Sequence, residues 1–212
     1  MSFNFADVST TGWIAVGALA ALAVVLLVIA RGHVRWTARM IANAALCLAL
    51  AFVLSYIKLF ALPQGGAVTA ASLLPIIAFA YSYGLAPGLV VGVAYGLLQM
   101  IQDPWIVSPV QAILDYPLAF ACIALAAVAR KLPDGWGWLA GIALGGVGRF
   151  VCHVLSGVVF FSQNAWDGWG AWGYSLAYNS SRLVEGILSI LIVSLLPLKL
   201  MRRSMRKEGG VA

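Results

Sequence analysis

The sequence predicts an all-α integral membrane protein, and two observations carry that prediction. Hydrophobic residues make up 63% of the 212 residues and charged residues only 9%, a balance far from that of soluble domains. The apolar residues also form long runs, and a run of about 20 is needed to cross the hydrocarbon core as a helix. Runs of that order lie near 12–31, 37–60, 108–130, 136–161 and 171–200.

Two shorter apolar runs, near 70–84 and 86–102, bring the predicted helices to seven. The stretch between them runs from Tyr83 to Gly88 and contains Gly84 and Pro87. Gly and Pro interrupt helices and favour turns. We therefore expect these two segments to form an antiparallel hairpin of helices.

Basic residues predict the orientation, because Lys and Arg are enriched in cytoplasmic loops. Three clusters follow the first, fifth and seventh segments: Arg31, Arg35 and Arg39; Arg130 and Lys131; and Lys199, Arg202, Arg203, Arg206 and Lys207. This pattern places the tail 204–212 in the cytoplasm, and the N-terminus and the loops 58–69, 103–108 and 162–170 outside. The net charge of +6 is thus a topology signal and does not indicate nucleic-acid binding.

The first segment is interpreted as a retained transmembrane anchor within residues 1–36, not as a cleaved signal peptide. Asp7 precedes it, no Lys or Arg occurs before Arg31, and no small-x-small cleavage site follows. The cysteines, Cys47, Cys122 and Cys152, lie within apolar segments without a CxxC spacing. We interpret them as core residues and expect no metal, disulfide or cofactor.

An aspartate inside the segment 108–130 is the best indication of function. An ionisable residue at membrane depth is costly unless it is paired or faces a wet cavity, so by default it marks a path or a site. Counted from the outer ends of their segments, Asp115, His153, Tyr174 and Asn179 converge in the outer half of the membrane. For any one of them, an ordinary interhelical hydrogen bond remains an alternative.

Aromatic residues crowd the outer loop beside this cluster: Phe160, Phe161, Trp166, Trp169 and Trp172. Interfacial aromatic belts are common, but the surplus here suggests a pocket that stacks on a flat cation. Three charged residues, Arg149, Arg182 and Glu185, lie nearer the bilayer centre. Their expected role is structural neutralisation, with Glu185 paired to one or both arginines.

Several stretches resemble the ThiT family, and they recur in order over about residues 38–203. They are Leu54–Phe60 with Pro63–Gly66, Tyr95–Gln99, Asp103–Val107, Asp115–Phe120 and His153–Phe161. Members of that family are the thiamine-specific substrate-binding subunits, or S-components, of energy-coupling factor (ECF) transporters.

The resemblance implies a six-helix S-component bundle over residues 37–203, preceded by one extra transmembrane helix. It implies high-affinity binding of thiamine from outside, and delivery inward when the subunit docks on one membrane scaffold protein and two cytoplasmic ATPases. The chain contains no Walker motif, so any ATP use belongs to a partner. The expected protein is a multi-pass transport subunit of the cell membrane, not an enzyme.

The family's site residues are carried over by motif. Its acidic–tyrosine pair matches Asp115 and Tyr116, its histidine and glycine match His153 and Gly157, and its tyrosine and asparagine on the last helix match Tyr174 and Asn179. Its aromatic positions fall on Phe161, Trp166 and Trp105. This chain departs from some members, which have Glu at the position of Asp115 and Trp at that of Phe161, and the segment 12–31 has no counterpart in the family.

Small residues form a stripe on the segment 37–60: Ala38, Ala42, Ala45 and Ala49. Their spacing of i, i+4, i+7 and i+11 places them on one helix face. Ala45 and Ala49 resemble the AxxxA docking motif of S-components. Packing of the stripe inside its own bundle is the alternative that spacing alone leaves open.

Parts of the sequence are compatible with two other functions. One is an intramembrane enzyme with His153 as base and Asp115 as its orienting acid, but no HExxH or GxSxG pattern accompanies them. The other is a self-sufficient secondary carrier of thiamine or a pyrimidine precursor, which would normally show inverted repeats with broken helices. The residues do not decide between thiamine and a precursor that shares its aminopyrimidine.

Overall fold

The computed structural model describes Gly17 and residues 34–63 and 66–195. The predicted anchor over 12–31, Gly17 apart, lies outside the described residues. So do Gln64 and Gly65 of the family motif, the basic cluster Lys199–Lys207 and the tail 204–212.

Helices dominate this part of the chain, as predicted for an all-α membrane protein. We number them α1 (Ala38–Ser55), α2 (Leu74–Tyr83), α3 (Leu85–Gln102), α4 (Pro109–Lys131), α5 (Asp134–Phe160) and α6 (Ala171–Ser194). By length and composition, α1, α3, α4, α5 and α6 can each span a membrane, whereas α2 has only 10 residues. The predicted all-α membrane fold class is confirmed, while the extra N-terminal helix lies outside the described residues.

A two-stranded hairpin replaces the end of the helix that was predicted over 37–60. The helix α1 ends at Ser55 rather than near 60, and β1 (Lys58–Ala61) pairs antiparallel with β2 (Ala67–Thr69). Pro63 lies two residues after the end of β1 and has no N–H to donate in a helix. Pairing between the two strands gives their backbone groups the partners that a helix would have supplied.

The joint between α2 and α3 is a single residue. Gly84 has a φ of +103°, which side-chain-bearing residues rarely adopt, and it is the end of one helix and the start of the next. The predicted turn over Tyr83–Gly88 is therefore too long. Pro87 and Gly88 already belong to the first turn of α3, where a missing N–H costs nothing.

A ridge of glycines brings α3 against α4. A Cβ on Gly92 would lie 2.5 Å from the carbonyl oxygen of Phe120, and one on Gly96 would lie 2.5 Å from that of Tyr116. Membrane helices associate through such close backbone contact, because burial from lipid gains little hydrophobic free energy. The main cluster of buried hydrophobic residues includes Ile76, Phe79, Tyr95, Ile123 and Trp138.

Candidate functional site

A widened helical turn positions the predicted acidic–tyrosine pair. Pro117 lies inside α4 and has no N–H to donate to the carbonyl of Ile113, and the helix opens to π geometry over Leu114–Leu118. Asp115 and Tyr116 both lie on this turn. Single π turns inside α-helices occur frequently at functional sites.

The Asp115 carboxylate is held by three donors. Its Oδ2 accepts from Gln111 Nε2 and from Ser156 Oγ, each at 2.6 Å, and its Oδ1 lies 2.9 Å from His153 Nδ1. Gln111 precedes Asp115 by one turn of α4, while His153 and Ser156 come from α5. Asp115 and His153, which the sequence predicted to converge, are therefore in direct contact, and Gln111 and Ser156 complete the network.

His153 presents one unused nitrogen. Because Nδ1 faces a carboxylate, the proton of the neutral ring is assigned to Nδ1, which leaves the lone pair on Nε2. Nε2 is buried and has no hydrogen-bond partner among the described residues. A buried polar atom without a partner is costly, so it is a natural point of contact for a ligand that donates a hydrogen bond.

Tyr116 organises the loop that leads into α4. Its hydroxyl donates to the carbonyl of Asp103 at 3.1 Å and accepts from the N–H of Trp105 at 2.8 Å. Gln111 holds the same loop, donating to the Trp105 carbonyl and accepting from the N–H of Val107. Trp105 is thereby placed at the cavity, with 45% of its surface exposed.

The residues predicted on α6 reach the same place. Tyr174 and Asn179 are buried, and both line the cavity. Asn179 Nδ2 donates to the carbonyl of His153 at 3.2 Å and to that of Ser175 at 3.0 Å, so this side chain joins α6 to α5. Gly157 is where the two helices meet most closely, since a Cβ there would collide with Ser175 Oγ.

Phe161 lines the cavity, but Trp166 is not among its lining residues. Trp166 packs edge-on against Tyr174, with ring centroids 5.3 Å apart, and against Trp169 at 5.2 Å. Trp166 therefore packs against the Tyr174 ring without lining the cavity itself. Its position in a loop, where no helical period fixes the direction of a side chain, explains why the sequence could not place it.

Of the three charged residues predicted nearer the bilayer centre, Arg149 and Glu185 form an ion pair, whereas Arg182 binds a backbone carbonyl. Arg149 Nη1 donates to Glu185 Oε2 at 2.8 Å, and the Arg149 guanidinium lies 4.7 Å from the centroid of the Phe120 ring. Arg182 does not pair with Glu185; its Nη1 donates to the carbonyl of Ala67 in β2 at 2.8 Å. The other Glu185 oxygen accepts from Thr69 and Ser72 beside the hairpin.

These side chains surround one cavity at the hairpin end of the bundle. Its lining combines charged, polar and aromatic side chains from the hairpin and from several helices. Sequence reasoning missed several of its polar residues: Ser55, Thr69, Ser72, Gln99, Gln102, Gln111, Ser156 and Tyr178. Within residues 34–63 and 66–195, no group of three His, Cys, Asp or Glu side chains is arranged to hold a metal ion.

A helical bundle with membrane-spanning segments and a polar, aromatic-lined cavity at one end is a multi-pass membrane protein with a small-molecule site. The model of the thiamine transporter protein family (Thia_YuaJ) matches residues 41–205, and the chain belongs to that family.

Its relatives agree with that assignment. The thiamine transporter ThiT of Bacillus subtilis is 35% identical over 144 residues, covering 62% of this chain and 74% of that protein. The ThiT of Lacticaseibacillus paracasei is 30% identical over 176 residues, covering 74% and 85%. The solved structure of ThiT from Listeria monocytogenes superimposes with a TM-score of 0.70 at 28% identity, covering 78% of this chain and 96% of that one. The resemblance noted in the sequence is confirmed.

Proposed function

We propose that this protein is the high-affinity thiamine-binding S-component of an ECF-type vitamin importer. It would capture thiamine at the hairpin end of the bundle and deliver it inward when docked on a membrane scaffold subunit with two cytoplasmic ATPases. The observation that carries the proposal is the buried Asp115–His153 pair, whose two residues both line a cavity that also has aromatic side chains in its lining.

The aminopyrimidine of thiamine suits this pair. Its amino group has two N–H donors, and His153 Nε2 is an acceptor without a partner. A carboxylate has about four lone-pair positions, of which three are used at Asp115. The amino group of the ligand can donate either to this fourth position or to His153 Nε2, because the carboxylate and Nε2 lie on different sides of the imidazole ring and one amino nitrogen cannot reach both. A hydrogen bond to a charged group contributes about 1.5–3 kcal/mol.

The thiazolium cation suits the charge and the rings of the cavity. Asp103 is paired with Lys58, and Glu185 with Arg149. Asp115 has no Lys or Arg ion-pair partner among the described residues and is the carboxylate left for a bound cation, although the Arg182 guanidinium, which also lines the cavity, offsets part of its charge. Phe161 and Tyr174 supply aromatic faces, and a desolvated cation–π contact contributes about 2 kcal/mol.

The remaining features fit a subunit that depends on partners. The alanine stripe is exposed along α1 instead of packing inside the described bundle, which supports a docking role for Ala38, Ala42, Ala45 and Ala49. Arg130 and Lys131 lie at the end of α4 away from the cavity, which supports a cytoplasmic location for that end. The hairpin then faces outward, and the C-terminus lies in the cytoplasm.

Thiamine titration of the purified protein, followed by the fluorescence of its eight tryptophans, tests the proposal. Saturable binding at submicromolar thiamine without ATP is expected, and absence of binding at micromolar thiamine would refute it. Uptake into liposomes should require the ATPase-bearing module. Uptake by the isolated protein would instead identify a secondary carrier, and conversion of thiamine to a product would identify an enzyme.

A further inference from the structure

Ser55 of α1 and Gln99 and Gln102 of α3 form a polar wall of the cavity. This wall takes no part in the proposed recognition of the aminopyrimidine and the thiazolium. Gln99 ends the Tyr95–Gln99 motif, and all three residues line the cavity. Gln99 Nε2 donates to Ser55 Oγ at 3.1 Å and to Gln102 Oε1 at 2.9 Å. Ser55 Oγ also lies 2.8 Å from Gln102 Oε1, so the three side chains form a closed triangle.

In this triangle each glutamine uses only one of its two polar amide atoms, Nε2 of Gln99 and Oε1 of Gln102. Gln99 Oε1 and Gln102 Nε2 have no hydrogen-bond partner in the part of the chain that the structure describes. The wall therefore offers one acceptor and one donor to the cavity. Rotating both amides by 180° exchanges the roles of the two residues but again leaves one acceptor and one donor, so this property does not depend on how each amide is assigned.

The chemistry of the wall differs from that of the Asp115–His153 pair. That pair offers acceptors to a ligand, which suits an amino group. The wall offers a donor beside an acceptor without net charge, which suits a group that both donates and accepts, such as an alcohol. If the triangle served only to join α1 to α3, its free amide groups would not need to line the cavity.

We propose that Gln99 and Gln102 bind the hydroxyl group at the end of the ligand's hydroxyethyl chain, as specificity-determining residues. Gln99 accepts from the hydroxyl, and Gln102 donates to its oxygen. Ser55 positions both amides. The inference rests on the proposed function, because the hydroxyl is the polar group of thiamine that remains once the aminopyrimidine and the thiazolium have partners.

The test compares two ligands on three proteins. Dissociation constants of thiamine and of its analogue with a 5-ethyl in place of the 5-hydroxyethyl group are measured for the wild type, Gln99→Met and Gln102→Met. Methionine keeps the length of the side chain but removes the amide. Wild type should bind the ethyl analogue about five- to tenfold more weakly than thiamine, and each variant should lose about that factor for thiamine alone.

Matched controls separate recognition from folding. Gln163→Met makes the same substitution at an exposed glutamine outside the cavity, and it should change neither constant. Retained affinity of Gln99→Met for the ethyl analogue would show that the site is folded. Equal weakening of both ligands by the variants, or equal affinity of wild type for both, would overturn the assignment. Failure of wild type to bind either ligand would instead refute the proposed function.

Discussion

Asp115 holds three hydrogen bonds at once, and this determines what its mutation does. Asparagine offers one carbonyl oxygen, so Asp115→Asn cannot accept from Gln111, Ser156 and His153 together. It also removes the charge that favours a cationic ligand. We expect the dissociation constant for thiamine to rise at least tenfold in a fluorescence titration.

The control for this charge is Asp167→Asn, which makes the same change at an exposed position outside the cavity lining and should leave binding unchanged. An unaltered dissociation constant in Asp115→Asn would remove the carboxylate from the site.

Phe161 tests the aromatic part of the cavity. Phe161→Leu keeps an apolar side chain but removes the ring face, and should weaken thiamine binding by about 1–2 kcal/mol, whereas Phe161→Trp should hold or improve the affinity. Phe52→Leu, a ring on α1 that does not line the cavity, is the control for general packing. Normal binding by Phe161→Leu would transfer the stacking role to another ring, such as Tyr174.

Ionisable residues gave the sequence its clearest signal, while the neutral Tyr174 and Asn179 were added by their depth and by the family resemblance. An ionisable group at membrane depth needs a partner, so its presence alone restricted where Asp115, His153 and Glu185 could lie. Gln111 and Ser156 escaped notice because neutral polar side chains are common in membrane helices. Their positions did hold a signal, since Gln111 is one helical turn before Asp115 and Ser156 is three residues after His153.

Among the helices, the contact of α3 with α4 depends on glycines that leave no room for a side chain. Gly96→Ala places a methyl group against the carbonyl of Tyr116, beside the turn that carries Asp115. We expect this overpacking to cost about 1–3 kcal/mol, to lower the melting temperature of the purified protein and to weaken thiamine binding.

Gly146→Ala is the matched control, because Gly146 also lies within a helix but has open space where its Cβ would be. Alanine should be neutral or stabilising there by up to about 1 kcal/mol, from helix propensity alone. Equal melting temperatures for the two variants would show that α3 can shift away from α4 without cost.

The sequence predicted the existence of the described helices better than their ends. Hydrophobic runs identify helices because the membrane requires long apolar segments. The same criterion extended α1 through Lys58–Phe60, since it does not distinguish a short strand from a last helical turn. Pro63 and Gly66 are the residues that could have indicated the turn of the hairpin.

For the molecule as a whole, substitutions in the exposed stripe on α1 test whether thiamine binding and transport depend on different surfaces. Ala45→Trp or Ala49→Trp should leave the thiamine dissociation constant of the isolated protein unchanged. Either variant should abolish uptake and co-purification with the ATPase-bearing module, because an indole holds two helices apart at an interface built for close approach.

Ala143→Trp puts the same bulk on an exposed position of α5 and should permit uptake. Lost thiamine binding in the α1 variants would mean that the stripe is needed for folding, and normal uptake would place docking elsewhere. Spacing alone could not decide which way the stripe faces, because a helix face of small residues suits an internal contact as well as an external one.

The shortness of α2 has a consequence for the architecture. Ten residues make about 15 Å of helix, half of a hydrocarbon core of about 30 Å. The rest of that crossing is non-helical chain around Ala67–Leu73, and such backbone is tolerated at membrane depth only within protein or beside an aqueous space. Arg182 gives this chain one backbone partner, since it donates to the Ala67 carbonyl, and Glu185 accepts from the hydroxyls of Thr69 and Ser72. Ala67, Thr69 and Ser72 of this chain line the cavity, so one side of the cavity wall is built from the non-helical half of the crossing.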